Sequence, residues 1–248
     1  MKFFIISDIH GFYNEMIEAL NRAGFDEENL NHFLITLGDY FDRGKQPIAV
    51  MRYLRNLERK ILIRGNHEGL LEDLCNRGTH LMHDATNGTY ETVLKFCNDY
   101  TLSFAERCEV ALKRVKPFFS MMQNFFETEN YIFVHSWIPL YRKDCLPKYY
   151  TQNRQFEFNP NWRAASKEDW ENAMWGNPFE LAKNFLPDKT IVFGHWHCSA
   201  GWAKKENRSE FGEDAKFDIF YGDGFIGIDA CTARTKKINC LVLEDNFI

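Results

Sequence analysis

Two carboxylates and an arginine stand close together in LGDYFDRG, residues 37–44: Asp39, Asp42 and Arg43. Four other short motifs carry the same kind of side chain. SDIHG holds Asp8 and His10, and RGNHE holds Asn66, His67 and Glu68. VHS holds His135, and GHWH holds His195 and His197. Five of the eight histidines in the chain fall in these motifs. Carboxylate oxygen combined with imidazole nitrogen suits borderline divalent ions such as Mn, Fe, Zn, Co or Ni. No cysteines stand at ligand spacing, which argues against a structural thiolate zinc site. Asp39 lies centrally in the set and has two oxygens with which to bridge two ions. Two ions about 3.5–4 Å apart polarise a phosphoryl group and generate a metal-bound hydroxide. Each motif alone has an ordinary reading as a turn, a surface ion pair or a packed histidine. Their joint placement gives them a chemical meaning.

That placement follows from the elements before them. Phe3–Ile6, Phe33–Leu37, Ile61–Ile63, Tyr131–Val134 and Thr190–Phe193 are short apolar runs that read as strands. Each delivers one motif at its C-terminal end, the edge where open α/β sheets bind ligands. Helical patterns separate the first three. Asn14–Ala23 has Met16, Ile17, Leu20 and Ala23 at helical spacing, with Gly24 as a stop. Pro47 opens a second helix striped by Ile48, Met51, Leu54 and Leu57. Leu70, Leu71 and Leu74 mark a third that stops near Gly78. Strand–helix alternation predicts parallel pairing with helices packed on the sheet. Residues 91–126 read as mostly helical, and Phe225–Ile228 and Leu241–Leu243 as late, antiparallel strands. Residues 139–171 and 204–224 read as long loops. With no linker or repeat, residues 1–248 are expected to form a single domain.

The ordered set DIHG, GDYFDRG, GNHE, VHS and GHWH closely resembles the calcineurin-like metallophosphoesterases. GDYFDRG with GNHE resembles their phosphoprotein phosphatase branch, which includes the serine/threonine protein phosphatases and a phage phosphatase. The resemblance runs from Lys2 to about Asp229. It implies an α/β sandwich of mixed sheets flanked by helices, with the active site at the C-terminal strand ends. It implies that Asp8, His10 and Asp39 hold one metal, and that Asp39, Asn66, His135 and His195 hold a second. It further implies that Arg43 grips a phosphate oxygen, that His67 is the general acid, and that Asp42 orients His67. The implied cofactors are two divalent or trivalent ions, Mn and/or Fe, with Zn an alternative. The implied activity is phosphomonoester hydrolysis, as a protein phosphatase, by attack of a metal-bridging hydroxide on phosphorus.

Two departures from the branch matter. GHWH has a second histidine, which the phosphodiesterase branch uses on the first metal, so His197 is either an extra ligand or a bystander. The branch also carries a second phosphate-gripping arginine. The nearest match is MWGNPF, which sets Asn177 in its place, and Arg142, Arg154 and Arg163 are substitutes. These departures keep open a phosphodiesterase or dinucleoside polyphosphate hydrolase. A phosphoprotein-binding module that retains the fold is the non-enzymatic alternative. Glu68 reads as structural in the first turn of its helix, and Arg64 as a salt-bridge partner rather than a substrate contact. NGTYET, residues 87–92, either lines the cleft or caps a helix.

Bulk properties bound the reading: an acidic chain with a phosphorylated substrate needs local positive charge, from a few arginines or from metal ions. A hydrophobic content of 45% with 23 Phe suffices for a large core. The net charge of −5 gives no nucleic-acid footprint. No apolar run reaches membrane-spanning length. Seven cysteines, odd in number and without a C-x-x-C pair, read as reduced thiols, and the N-terminus lacks signal-peptide character. A cytoplasmic protein acting on a phosphorylated protein or a small phosphate ester is expected.

Overall fold

The computed structural model of the chain describes residues 1–142, 156–183 and 187–247. The first part alternates strand and helix: β1 Lys2–Ile6, α1 Tyr13–Ala23, β2 His32–Thr36, α2 Pro47–Asn56, β3 Lys60–Ile63 and α3 Asn66–Arg77. Gly24 and Gly78, in left-handed conformation, end α1 and α3. Three further helices follow, α4 Met82–Asn87, α5 Thr89–Phe96 and α6 Phe104–Phe119. Then come β4 Met122–Gln123, β5 Phe125–Glu127, β6 Tyr131–Val134, β7 Tyr141–Arg142 and β8 Phe156–Glu157. The last part holds α7 Lys167–Ala173, α8 Pro178–Leu181, β9 Thr190–Phe193, α9 Cys198–Glu206, β10 Phe220–Tyr221, β11 Phe225–Gly227, α10 Thr232–Thr235 and β12 Leu241–Glu244.

Two five-stranded mixed sheets result, in the orders β12-β1-β2-β3-β4 and β10-β11-β9-β6-β5. The β1, β2 and β3 pairings are parallel, with Ile5 opposite Ile35 and Ile35 opposite Ile61. Phe3–Ile6 is apolar at every position because both faces of β1 are covered. Phe4 and Ile6 pack beneath the helices with Leu34, Val50, Leu54 and Phe118. Phe3 and Ile5 turn the other way, into a layer shared with Phe133 and Val192 of the second sheet. A third cluster, including Trp137, Trp162, Trp170 and Phe179, covers the outer face of that sheet.

Two expectations need correction. The segment expected to be helical up to residue 126 ends in strands, because β4 pairs with β3 and β5 with β6. Long-range edge pairing overrides local pattern there. The late strands are not both simply antiparallel. β12 runs antiparallel to β1, but β11 is parallel to β9 and antiparallel only to β10. The crossover that parallel pairing requires is supplied by α9. No helix among the described residues is long and apolar enough to cross a membrane. Cys75, Cys97, Cys108, Cys198, Cys231 and Cys240 are free thiols, and Cys145 lies outside the described residues.

Candidate active site

The strand ends of both sheets converge on Asp39. One ligand atom each from His10, Asp39 and His67 lie within 4.8 Å of one another, and so do atoms of Asp39, His135 and His195. Asp39 is common to both groups and almost fully buried. His10 Nε2 is 3.7 Å from Asp39 Oδ2, and His135 Nε2 is 3.5 Å from Asp39 Oδ1. Asn66 Oδ1 lies 2.7 Å from His135 Nε2 and 3.1 Å from His195 Nδ1.

Two of the histidines, His10 and His195, favour the neutral form in which an imidazole can donate to a metal. Burial pushes His10 well below the usual imidazole value and His195 to about 3. His135 places Nδ1 2.6 Å from the Leu37 carbonyl oxygen, which accepts its hydrogen. That tautomer aims the Nε2 lone pair at two further acceptors, Asn66 Oδ1 and Asp39 Oδ1. Acceptors facing acceptors at this distance is an arrangement that a cation between them resolves. Asp8 points the same way: burial, then the neighbouring Asp39 charge, raises its carboxyl to about 6. Burial opposes the charge on Asp39 too, but the surrounding imidazoles hold its carboxyl well below the ordinary range. The donor set thus fits divalent metal ions of the kind this chemistry selects.

The backbone is strained at the same residues. Asp8, His10, Asp39, Arg43 and His195 all have φ between 48° and 74°. They are five of the eight non-glycine residues with positive φ among those described. Such conformations cost on the order of 1–3 kcal/mol each and persist where surrounding structure imposes them. Gly38 is required for a different reason. At φ 94°, a Cβ there would stand 2.6 Å from Gly65 Cα and 2.7 Å from His135 Nδ1. Glu68 ties the same loops together: its carboxylate accepts from the backbone N–H of Gly65, Asp39 and Tyr40 at 2.9–3.1 Å.

Beside the Asp39 groups stands a second constellation. His67 Nδ1 is 2.6 Å from Asp42 Oδ2. Burial disfavours the imidazolium of His67, but Asp39 and the Asp42 hydrogen bond outweigh it and raise the pKa. Arg43 reaches in with Nη1 2.9 Å from His10 Nε2 and Nη2 3.2 Å from His67 Nε2. Its guanidinium is therefore at the mouth of the site, where a phosphate oxygen would meet it.

Some candidates are placed elsewhere. His197 turns away from both Asp39 groups: its Nε2 is 3.3 Å from Glu210 Oε1 and its Nδ1 3.2 Å from Ser199 Oγ. Asn177 is buried, and its side-chain oxygen accepts from Phe179 N–H at 3.1 Å, so it caps α8. Among the described residues no contact joins it to the Asp39 groups. Arg163 is held by a two-pronged ion pair to Glu127, Arg142 lies in β7, and Arg154 lies outside the described residues. Arg64 pairs with Glu72.

Two residues enter to which the motif reading gave no role. Asp229 is a buried acid following β11, raised well above the carboxylate range by burial and then by Asp8. Its position after a strand was the available signal. Trp175 lies beside His195, ring centroids 6.3 Å apart and nearly perpendicular. It lines a small cleft with Arg64, Asn66 and Lys167.

Comparisons with known proteins agree with this arrangement. Residues 1–199 match the family model for calcineurin-like phosphoesterases. The chain is 27% identical over 214 residues to the asymmetrical bis(5'-nucleosyl)-tetraphosphatase PrpE of Bacillus velezensis, covering 79% of this chain and 77% of that one. A 69-residue stretch is 39% identical to the symmetrical bis(5'-nucleosyl)-tetraphosphatase of Buchnera aphidicola, covering 27% of this chain and 24% of that one. In fold, it resembles a candidate diadenosine tetraphosphatase (TM-score 0.57, 17% identity, 98% of this chain and 89% of that one). It also resembles the cold-active protein-tyrosine phosphatase of a Shewanella species (TM-score 0.54, 16% identity, 99% and 76%). With the family model matching residues 1–199, most of the chain, this protein belongs to the calcineurin-like phosphoesterase family.

Proposed function

We propose that the chain is a dinuclear-metal phosphoric ester hydrolase whose substrate is a dinucleoside polyphosphate, cleaved asymmetrically. The observation that carries the substrate class is the 27% identity with an asymmetrical bis(5'-nucleosyl)-tetraphosphatase over most of both chains. The site supports it through Trp175, which lies beside His195 in a cleft that Arg64 and Lys167 also line, since an indole gives a nucleobase a stacking face.

Asp8, His10 and Asp39 would hold one ion, and Asp39, Asn66, His135 and His195 the other, with manganese or iron the preferred occupants. When bound, the ions supply Lewis acidity and an activated water. The remaining work falls to side chains. Arg43 binds a non-bridging phosphate oxygen and holds the chain of phosphates in register. His67 carries a proton on Nε2 and gives it to the leaving oxygen, while Asp42 accepts from Nδ1 and fixes the ring. Phosphomonoester hydrolysis, including protein phosphatase activity, is the second reading, favoured by the Asp42–His67–Arg43 set itself.

Protein reconstituted with manganese is offered diadenosine tetraphosphate, a phosphoserine peptide and a nitrophenyl phosphate, and the products are separated by anion exchange. Adenosine triphosphate plus monophosphate, lost on chelation, is the expected outcome. Two diphosphates would make the cleavage symmetrical. A higher kcat/KM on the peptide would favour the phosphatase reading. A chain that binds phosphoprotein without metal-dependent turnover would be a binding module.

A further inference from the structure

Helix α5 meets the Phe41–Gly44 loop one residue at a time. Phe96 packs its ring edge against Phe41, centroids 5.1 Å apart. Thr89 Oγ1 donates to Asp42 Oδ2 at 2.6 Å, and Thr92 Oγ1 donates to Asp42 Oδ1 at 2.7 Å. Gly88, which starts the helix, lies so close to Arg43 that a Cβ there would stand 2.6 Å from the Arg43 nitrogen. Lys95 Nζ donates to the Gly44 carbonyl at 2.7 Å. Both threonines are fully buried.

The consequence falls on Asp42. A carboxylate with one partner can rotate about its last torsion, and His67 would rotate with it. Here each oxygen has a hydroxyl donor from a neighbouring turn of one helix, and Oδ2 has His67 Nδ1 as well. Three donors from two elements define a single orientation. We infer that Thr89 and Thr92 are positioning residues, which aim Asp42 at His67 and through it aim the His67 Nε2 proton at the leaving oxygen. The inference rests on the reading of His67 as the general acid. The alternative is that α5 only anchors the loop.

Valine is nearly isosteric with threonine but lacks the donor, and serine retains it. Thr89→Val, Thr92→Val, the corresponding serine variants and His67→Asn are compared after manganese reconstitution, with thermal melting to establish folding. The substrates are phenyl phosphate, whose leaving group needs a proton, and nitrophenyl phosphate, whose leaving group does not. Each valine variant is expected to lose about tenfold in kcat on phenyl phosphate, part of the roughly 10²–10⁴ that a general acid supplies. On nitrophenyl phosphate the loss stays within about twofold, and the serine variants recover most of the rate. Adding Thr92→Val to His67→Asn should cost nothing further, because the threonine acts through the histidine. Equal losses on both substrates, or an additive loss in the double variant, would reduce α5 to an anchor. If His67→Asn itself shows no leaving-group dependence, the general-acid reading falls and this inference with it. If His67→Asn shows it and the valine variants do not, only this inference falls. Should one valine variant fail to fold, the other carries the same comparison.

Discussion

On one side of Asp39, each residue of the loop from Phe41 to Gly44 is held by α5 or by Gly88 at its start. On the other side, Trp175 and Trp196 lie against His195, Asn177 caps α8, and Arg163 is paired with Glu127. The first side is a hydrogen-bonded frame around His67 and Arg43. The second is lined by aromatic rings, with Arg64 and Lys167 in the cleft beside Trp175. Proton transfer tolerates little error in distance, so its groups need a saturated frame. Base recognition by stacking tolerates sliding, and an indole face suffices. Under the proposed function, bond breaking would fall to the framed side and substrate choice to the aromatic one.

The largest effect should come from the residue that joins the two. Asp39→Ala removes a carboxylate common to both groups, so metal content after reconstitution should fall. The rate should drop by about 10³-fold or more, since bound ions supply several kcal/mol of transition-state stabilisation. Chelation of the unaltered protein should give the same loss, reversed by added manganese. Retention of both ions in the Asp39→Ala protein would break the proposed ligand set.

His67→Asn comes next, with a loss of about 10²–10⁴-fold on a phenyl phosphate and intact metal content. On diadenosine tetraphosphate the loss should be smaller, because a leaving phosphate needs less help from a proton. His67 lies within ligand reach of Asp39 and His10, so metal analysis of this variant also separates acid from ligand.

Arg43→Ala should lower kcat/KM by roughly 10–100-fold, the worth of a charge-assisted hydrogen bond of about 1.5–3 kcal/mol. Trp175→Ala acts on the opposite side. It should raise KM for diadenosine tetraphosphate about tenfold, within the approximately 1–3 kcal/mol of a stacked base, and leave nitrophenyl phosphate kinetics almost untouched. Similar changes on both substrates would erase the proposed division between chemistry and selection.

The smallest effect is expected at Asn177. As an N-cap, its replacement by alanine costs about 1 kcal/mol of stability, a fall of roughly 2–4 °C in melting temperature by calorimetry. A loss of kcat/KM comparable to that of Arg43→Ala would instead return Asn177 to the substrate.

Much of this was legible in the chain. A run such as Phe3–Ile6 is apolar at every position only if both faces are buried, and a strand so enclosed leaves the polar residues after it at the sheet edge. The spacing of Met16 and Leu20, with Gly24 beyond, foretold α1 and its end. The same logic gathered Asp8, His10, Asp39, Asn66, His67, His135 and His195, because strand ends are a local property and their common edge follows from parallel pairing. Asp229 obeys that rule too, but its strand β11 is short and lies far along the chain.

Tertiary structure decided the rest. No local pattern reveals that Thr89 and Thr92 face Asp42, since a buried threonine on a helix reads equally well as a cap. Nor does sequence spacing tell that Asn177 gives its oxygen to Phe179, that Arg163 belongs to Glu127, or that His197 turns to Glu210. The positive φ of Asp8, His10, Asp39, Arg43 and His195 is likewise imposed by packing from outside each loop. Periodicity encodes which face of an element is buried, because burial acts on each residue separately. The partner of a buried polar atom depends on two elements meeting at an angle and register that neither one contains.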